Sequence, residues 1–194
     1  MNEMNMETKN TACRDGKVIY CDGREKTIEY GVTAVTFRDF RGNKEITHIT
    51  LPESVTEIED RAFWGCKSLV SIQIPEGVKS IGTWAFGLCE SLAEINIPGS
   101  VRKIGKSAFG LCMSLREISL PDGVSEIGDL TFHVCKSLEK VHLPASITEI
   151  GDYAFFHCEK LSEVYYGGTE EELKKITVGK ENGYFENSAV YCCK

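Results

Sequence analysis

One pattern recurs along most of this chain at an interval of twenty-three residues. The stretch CKSLVSIQIPEGVKSIGTWAFGLCESLAEINIPGSV, which runs from Cys66 to Val101, states it nearly twice. A repeat of this length indicates a solenoid, because one unit is too small to bury its own apolar residues and must stack on its neighbours. Three columns of the pattern hold all five prolines, five phenylalanines and five cysteines: Pro52, Pro75, Pro98, Pro121 and Pro144; Phe63, Phe86, Phe109, Phe132 and Phe155; Cys66, Cys89, Cys112, Cys135 and Cys158.

The repeat divides the chain into four segments. Residues 1–12 are polar and predict a disordered tail, and residues 13–27 predict an N-terminal cap hairpin around Asp22-Gly23. Residues 28–165 are the repeat array, with a degenerate first rung at 28–50 and five full rungs at 51–165. Residues 166–194 predict a C-terminal cap, where Thr169 and Glu172 have the spacing of a capping box. Open solenoid ends need such cover, since an exposed sheet edge invites association.

Each rung has the pattern of a short strand followed by a turn. Ile72 and Ile74 alternate with polar residues and predict a strand, and Pro75 ends its pairing because proline has no amide hydrogen. After the turn at Gly82 and its copies, a short helix is expected, with an N-cap residue in four of the five full rungs: Asp60, Thr83, Asp129 and Asp152. The predicted fold class is therefore an α/β solenoid, a leucine-rich repeat stack of 23-residue rungs with short strands and short helices, capped at both ends.

The motif L-x-x-I-x-I-P-x-x-V-x-x-I-G-x-x-A-F-x-x-C, from Leu69 to Cys89, resembles the leucine-rich repeat of the BspA type, also called the Treponema pallidum type. The resemblance covers about residues 28–166, and the tail 164–191 is similar to the terminal cap of bacterial members, with Leu173 where that cap often has tryptophan. It implies a protein-interaction or adhesion module, usually displayed on a cell surface.

Charge and hydropathy limit the partners. The net charge is −7 and lysines and arginines do not cluster, which disfavours nucleic acid and anionic membranes as partners. No apolar stretch is long enough to span a bilayer, and the start MNEMNMETKN lacks the pattern of a secretory signal. As the chain stands it is expected in the cytoplasm; if a signal was trimmed, it is expected at the cell surface or secreted.

The cysteine column is interpreted as structural. Stacked copies form a line of parallel side chains, whereas zinc needs ligands that converge tetrahedrally, so no metal is expected. Parallel Cβ vectors about 4.8 Å apart also miss the separation of about 3.8 Å that a disulfide prefers. Buried thiols that donate weakly to carbonyl groups are the expected state, which fits a reducing compartment. Cys13 and Cys21 can pair or stay inert, with the inert state favoured, and Cys192 and Cys193 are left open.

The sequence has no recognisable catalytic constellation. The four histidines occupy four different repeat columns: His48, His133, His142 and His157. No glycine-rich loop has the spacing that binds phosphate. His142 shares a strand face with Glu117 and Glu163, an arrangement that a solvated polar face explains better than a metal or acid-base site. We expect no enzyme activity and no cofactor.

Two lateral surfaces are candidates for a partner. The strand face is polar and has few residue types typical of interface hot spots: Gln73, Asn96, Glu117, Lys140, His142, Glu163 and Tyr165. The outer side of the rungs carries large side chains, of which the last four are expected to lie together: Trp64, Trp84, Leu130, His133, Tyr153 and Phe156. Such a patch either marks an interface or is half-buried by neighbouring loops.

Two functional hypotheses therefore remain. The first is a non-catalytic interaction or adhesion module that binds a protein or a glycan. The second is a structural or self-assembling element without a separate ligand. The expected oligomeric state is a monomer or a weak homo-oligomer.

Overall fold

The computed structural model describes residues 15–193, so the predicted tail at 1–12 and Cys13 lie outside the described residues. The strands and helices are short and follow one another in chain order: β1 (Gly16–Tyr20), β2 (Glu25–Ile28), β3 (Ala34–Val35), α1 (Phe37–Phe40), β4 (Ile46–Thr50), β5 (Glu57–Ile58), β6 (Ser71–Gln73), β7 (Ser80–Ile81), β8 (Glu94–Ile95), β9 (Lys103–Ile104), β10 (Glu117–Ser119), β11 (Glu126–Ile127), β12 (Lys140–Leu143), β13 (Glu149–Ile150), β14 (Glu163–Tyr166), α2 (Glu170–Leu173), β15 (Thr177–Val178), α3 (Gly183–Glu186) and β16 (Ala189–Cys192).

The chain forms a β-solenoid of about seven turns. Each rung gives one strand to a first sheet and a two-residue strand to a second sheet. The pairing within the array is parallel and joins residues twenty-three apart, for example Ile49 with Ile72 and Ile58 with Ile81. Both sheets are interrupted at the same level, since β8 does not pair with β10, nor β9 with β11, within residues 15–193.

The repeat columns form the core. The phenylalanines stack as a ladder from Phe40 to Phe155, with ring centroids 5.2–5.6 Å apart, and Phe185 extends it at 5.1 Å. Phe63, Phe86 and Phe109 are completely buried, as are the corresponding leucines and cysteines. Burying one such ring contributes roughly 1.5–3 kcal/mol, so the ladder is a large part of the stabilisation.

The helices predicted within each full rung are wrong. Residues 60–65 and their copies are consecutive turns, and the helices of the described chain are α1, α2 and α3 alone. Alternate backbone amides of this segment donate to the next rung. The N–H groups of Arg61 and Phe63 donate to the carbonyls of Thr83 and Ala85, at 2.9 and 2.8 Å. A helix would need those amides for its own carbonyls, so the stacking competes with helix formation and wins.

The predicted helix caps have a different role. Asp60 Oδ1 accepts from the backbone N–H of Thr83, and Asp129 Oδ1 accepts from that of Asp152. Asp152 Oδ1 accepts in turn from the N–H of Lys180 at 2.8 Å. These carboxylates therefore bridge successive rungs.

The cysteine column has the predicted hydrogen bonds. The Sγ of Cys89 donates to the carbonyl of Phe63 at 3.2 Å, and each of the other four thiols in the column donates to the corresponding carbonyl at 3.1–3.2 Å. All five are buried and none forms a disulfide. Burial raises the pKa of Cys66 and of Cys158 to about 12, and it raises the pKa of the three between them. Cys21, Cys192 and Cys193 are also free thiols.

The two ends of the solenoid differ. At the start, β1 pairs antiparallel with β2 and with β4, and it buries Val18 in the core. At the end, β15 and β16 continue the two sheets in parallel, with β16 on β14. Thr169 and Glu172 form the capping box at the start of α2. The division into caps and array remains a prediction.

Candidate functional site

Seven side chains form a contiguous surface on the turns of the solenoid, which we call the outer aromatic surface: Arg41, Arg61, Trp64, Trp84, Leu88, Leu111 and His133. All but His133 line one open depression of about 440 Å³. Trp64, Trp84, Leu88, Leu111 and His133 are half-buried, and the two arginines are exposed.

The turn backbone places these side chains. Trp84, Leu88 and Leu111 have left-handed φ values of 57°, 62° and 62°. Such a conformation costs an L-residue about 1–2 kcal/mol, and bonds between rungs hold it, for example from Trp84 N–H to the Lys106 carbonyl at 3.0 Å. Equivalent φ values recur in neighbouring rungs, so they belong to the solenoid and do not mark a site.

Two glycines let the aromatic rings meet across rungs. A Cβ at Gly87 would lie 2.3 Å from Trp84 Cε3, and one at Gly110 would lie 2.2 Å from His133 Cε1. Both rings therefore occupy space that a side chain in the Trp64 column would fill. As a result the rings of Trp84 and His133 meet edge to face at 5.4 Å, although they lie two rungs apart.

The arginines complete the surface. The guanidinium of Arg41 lies over the ring of Trp64, with Cζ 5.1 Å from the ring centroid. A stacked guanidinium keeps its N–H edge free for hydrogen bonds. Among residues 15–193, two arginines and no carboxylate line the depression, which sets it apart in a protein with a net charge of −7.

Two of the other predicted outer residues, Tyr153 and Phe156, form a second aromatic contact apart from the outer aromatic surface. Tyr153 and Phe156 meet edge to face at 5.5 Å, and Tyr153 is 38% exposed. His133 instead turns toward Trp84, and its Nδ1 contacts the carbonyl of Leu130 at 2.7 Å. The ring contacts thus join His133 to Trp84 and Tyr153 to Phe156, whereas the sequence grouped both Leu130 and His133 with the latter pair. Whether either place binds a partner remains a prediction.

The strand face is a network of polar contacts. Gln73 Oε1 accepts from Thr50 Oγ1 at 3.2 Å. His142 Nε2 lies 2.8 Å from Glu117 Oε1, and Lys140 Nζ lies 3.1 Å from Glu163 Oε2. Asn96 is exposed beside the interruption between β8 and β10, in a shallow depression that Glu94 and Glu117 also line.

Three rings stack along the end of this face. His142 stacks on Tyr165 at 4.7 Å, and Tyr165 stacks on Tyr191 at 5.1 Å. The sequence missed Tyr191, because the twenty-three-residue spacing ends after Tyr166 and β16 pairs with β14 at a spacing of twenty-six: Tyr165 lies opposite Tyr191.

Hydrogen bonds shift the pKa values of this cluster. The Tyr165 hydroxyl donates to Glu163 and, with Lys140, lowers the pKa of that carboxyl. The same contacts with Glu163 raise the pKa of Tyr165 and of Lys140. Glu163 is thus held ionised by its neighbours, which is the state of a paired surface carboxylate and leaves it poorly suited to act as a base.

Neither a metal site nor a membrane segment is found among residues 15–193. No group of three or more histidine, cysteine, aspartate or glutamate side chains there could hold a metal ion. None of the helices in that range has the length and apolar character to cross a membrane.

Comparisons with known proteins identify the repeat. The family described as "BspA type Leucine rich repeat region" matches residues 33–162 and 89–194, in six copies. No curated protein sequence matches the chain.

Solved structures give the same result. A leucine-rich repeat protein from Treponema pallidum is 33% identical with a TM-score of 0.70, over 78% of this chain and 68% of that one. A leucine-rich cell surface protein from Faecalibacterium prausnitzii is 30% identical with a TM-score of 0.66, over 83% of this chain and 40% of that one. The chain thus spans less than half of the F. prausnitzii protein. One from Bacteroides ovatus, 21% identical with a TM-score of 0.53 over 90% of this chain and 61% of that one, shares the fold.

Proposed function

Because the chain belongs to the BspA-type leucine-rich repeat family, we propose that it is a non-catalytic interaction module that presents the outer aromatic surface to a protein partner. Leucine-rich repeat proteins bind other proteins in general, and the name of the F. prausnitzii relative supports display at a cell surface. Fractionation of the native cell tests that location: recovery in the cytoplasm alone would contradict it.

One observation carries the proposal: the outer aromatic surface concentrates the residue types that dominate binding energy at interfaces. Trp64, Trp84, Arg41 and Arg61 surround a single depression. Tryptophan and arginine are enriched among hot spots because they bury a large area and make directional contacts. The strand face offers polar side chains that already pair with one another, so its contacts would have to be broken before a partner could use them.

The test is capture of a partner by surface variants. The immobilised protein is exposed to an extract of its native cell, and bound proteins are compared between the original chain and a Trp64→Ala/Trp84→Ala variant. We expect the partner to be lost from the variant. Val32→Ser/Val70→Ser, which alters exposed apolar residues elsewhere, is the control and should retain it.

A further variant separates the two surfaces. Gln73→Ala/Asn96→Ala changes the strand face and should leave capture unchanged. Capture that survives the tryptophan substitutions but disappears with this variant would transfer the function to the strand face. Circular dichroism checks that every variant is folded.

Self-assembly is the second candidate, and the open edge of β16 favours it. Val190 belongs to the inward column of Val141 and Val164, both fully buried, yet it is 39% exposed because no further rung covers it among the described residues. An edge strand without charge or proline can pair with another chain.

Sedimentation velocity separates this candidate from the first. A monomer at all concentrations would exclude self-assembly, whereas an oligomer that Val190→Asp dissociates would support it.

A further inference from the structure

We infer that the outer aromatic surface binds an acidic peptide segment that carries an aliphatic or aromatic side chain. The inference rests on the proposed function and names the chemistry of the partner. It follows from three properties of the surface: its unpaired donors, its local charge and its apolar floor.

The arginine and tryptophan side chains of the surface are donors without acceptors among residues 15–193. Neither Arg41 nor Arg61 forms a salt bridge with any of residues 15–193. Within the same range the indole N–H groups of Trp64 and Trp84 have no hydrogen-bond acceptor either. A partner that satisfies these groups must bring acceptors, and carboxylates are the strongest ones for a guanidinium.

The charge around the depression points the same way. A protein with a net charge of −7 repels an acidic segment at long range, so only a place free of carboxylates can accept one. The depression has that property as far as residues 15–193 are concerned, and it holds two positive charges, one of them positioned by the ring of Trp64. At the strand face, by contrast, Lys140 is already neutralised by Glu163.

The floor of the depression decides between a peptide and an anionic glycan. Leu88, Leu111 and the two indole rings add apolar area to the depression that the arginines line. A sulfated glycan would pair with the arginines but leave the leucines exposed to water, whereas an aliphatic or aromatic side chain would cover them. A neutral apolar peptide would cover the leucines and leave two charges unpaired.

The experiment uses a built-in reporter, because Trp64 and Trp84 are the two tryptophans of the protein. Labelled protein selects from bead-displayed random short peptides, and the selected sequences are titrated into unlabelled protein while tryptophan emission is followed. We expect selected peptides to be enriched in aspartate and glutamate beside leucine, isoleucine or phenylalanine. Binding should shift the emission and weaken with added salt, since exposed charges are screened over about 10 Å at 0.1 M salt.

Matched variants isolate the charge. Arg41→Gln/Arg61→Gln removes two positive charges from the surface, and Lys103→Gln/Arg116→Gln removes two exposed ones elsewhere. We expect the first variant to weaken binding on the order of tenfold or more and the second to leave it within about twofold. Equal losses in both would show that net charge, not this surface, is responsible, and would overturn the inference.

Two further results would also overturn the inference. Selection without acidic enrichment, or equal binding of peptides with asparagine and glutamine in place of the acids, would overturn the acidic chemistry. Binding of a heparin oligosaccharide in place of the peptides would overturn the peptide class. In each case, capture that depends on Trp64 and Trp84 would still stand, so failure of this inference is distinguishable from failure of the proposed function.

Discussion

At the scale of single residues, buried polar side chains satisfy the backbone groups that the stacked turns leave inside the core. The cysteines act as small buried donors, and Asn182, near the end of the solenoid, provides polar contacts of a similar kind with an amide. Its Oδ1 accepts from Phe155 N–H at 3.0 Å, and its Nδ2 donates to the carbonyl of Gly151 at 3.0 Å. Stacking creates carbonyl groups that need donors inside the core, because every rung repeats the same turn.

Thiol reactivity should follow the columns. The thiolate is the reactive form, so a raised pKa together with burial suppresses alkylation. At pH 9 in native buffer, iodoacetamide should modify Cys21 and Cys193, which are exposed, and should spare the five column cysteines, of which Cys66 and Cys158 have pKa values raised to about 12. Peptide mass spectrometry reads each site. Modification of Cys112 without denaturant would contradict the buried column.

Gly110 should matter for contact and little for stability. A methyl group there meets the His133 ring, which is an adjustable side chain, so Gly110→Ala should displace that ring from Trp84. We expect loss of the nuclear Overhauser contacts between the two rings, with a stability change within about 1 kcal/mol. Gly99→Ala is the control, since a Cβ there meets no atom of the described chain, residues 15–193, within 4 Å. Persistence of the ring contact in Gly110→Ala would refute the role of the glycine.

At the scale of elements, the turn segments show why the sequence pattern was misleading. The residues from Asp60 to Ala62 resemble the capped start of a helix, and their intrinsic helix propensity does not exclude a helix there. The helix fails because its amides find carbonyls in the next rung, an option that exists only when rungs stack. The sequence pattern did predict the order of the phenylalanine ladder, because a spacing of twenty-three residues implies that Phe86 lies between Phe63 and Phe109.

Position along the ladder should set the cost of losing a ring. Phe109 stacks on both sides and is fully buried, so Phe109→Ala should destabilise by about 3–5 kcal/mol. Phe40 is half-buried and stacks in the ladder on Phe63 alone among the described rings, so Phe40→Ala should cost clearly less. Urea unfolding followed by circular dichroism measures both. Equal costs would contradict a ladder in which each ring contacts only its neighbours.

At the scale of the whole molecule, each rung contacts mainly the rungs before and after it. The stability of such a stack is approximately a sum of rung and interface contributions. A whole rung can therefore be removed without disturbing the stacking of the others, whereas removal of part of a rung disturbs it. The interruption of both sheets between β8 and β10 and between β9 and β11 lies inside the array, yet the phenylalanine ladder crosses it at 5.4 Å from Phe86 to Phe109. The hydrophobic core is therefore continuous across the break in strand pairing.

Deletion of one complete rung should be tolerated. Removal of residues 97–119 joins Asn96 to Leu120 and keeps every column in register. We expect a folded protein with a lower melting temperature and an unchanged shape of the circular dichroism spectrum. Removal of 97–108 takes about half a rung, shifts the columns and should prevent cooperative unfolding. Similar behaviour of the two deletions would argue against register as the source of stability.

The sequence by itself determined the solenoid, its rung length, its buried columns and the thiol donors, because each depends on spacing that stacking repeats without change. Only the tertiary structure decided the turns in place of helices, the meeting of Trp84 with His133 over Gly110, and the stack of Tyr191 on Tyr165. These features arise where side chains and amides reach between rungs, and that reach depends on which neighbour leaves space or offers a carbonyl. A periodic pattern shows which residues lie in one column, but contacts between columns are set by the three-dimensional stack.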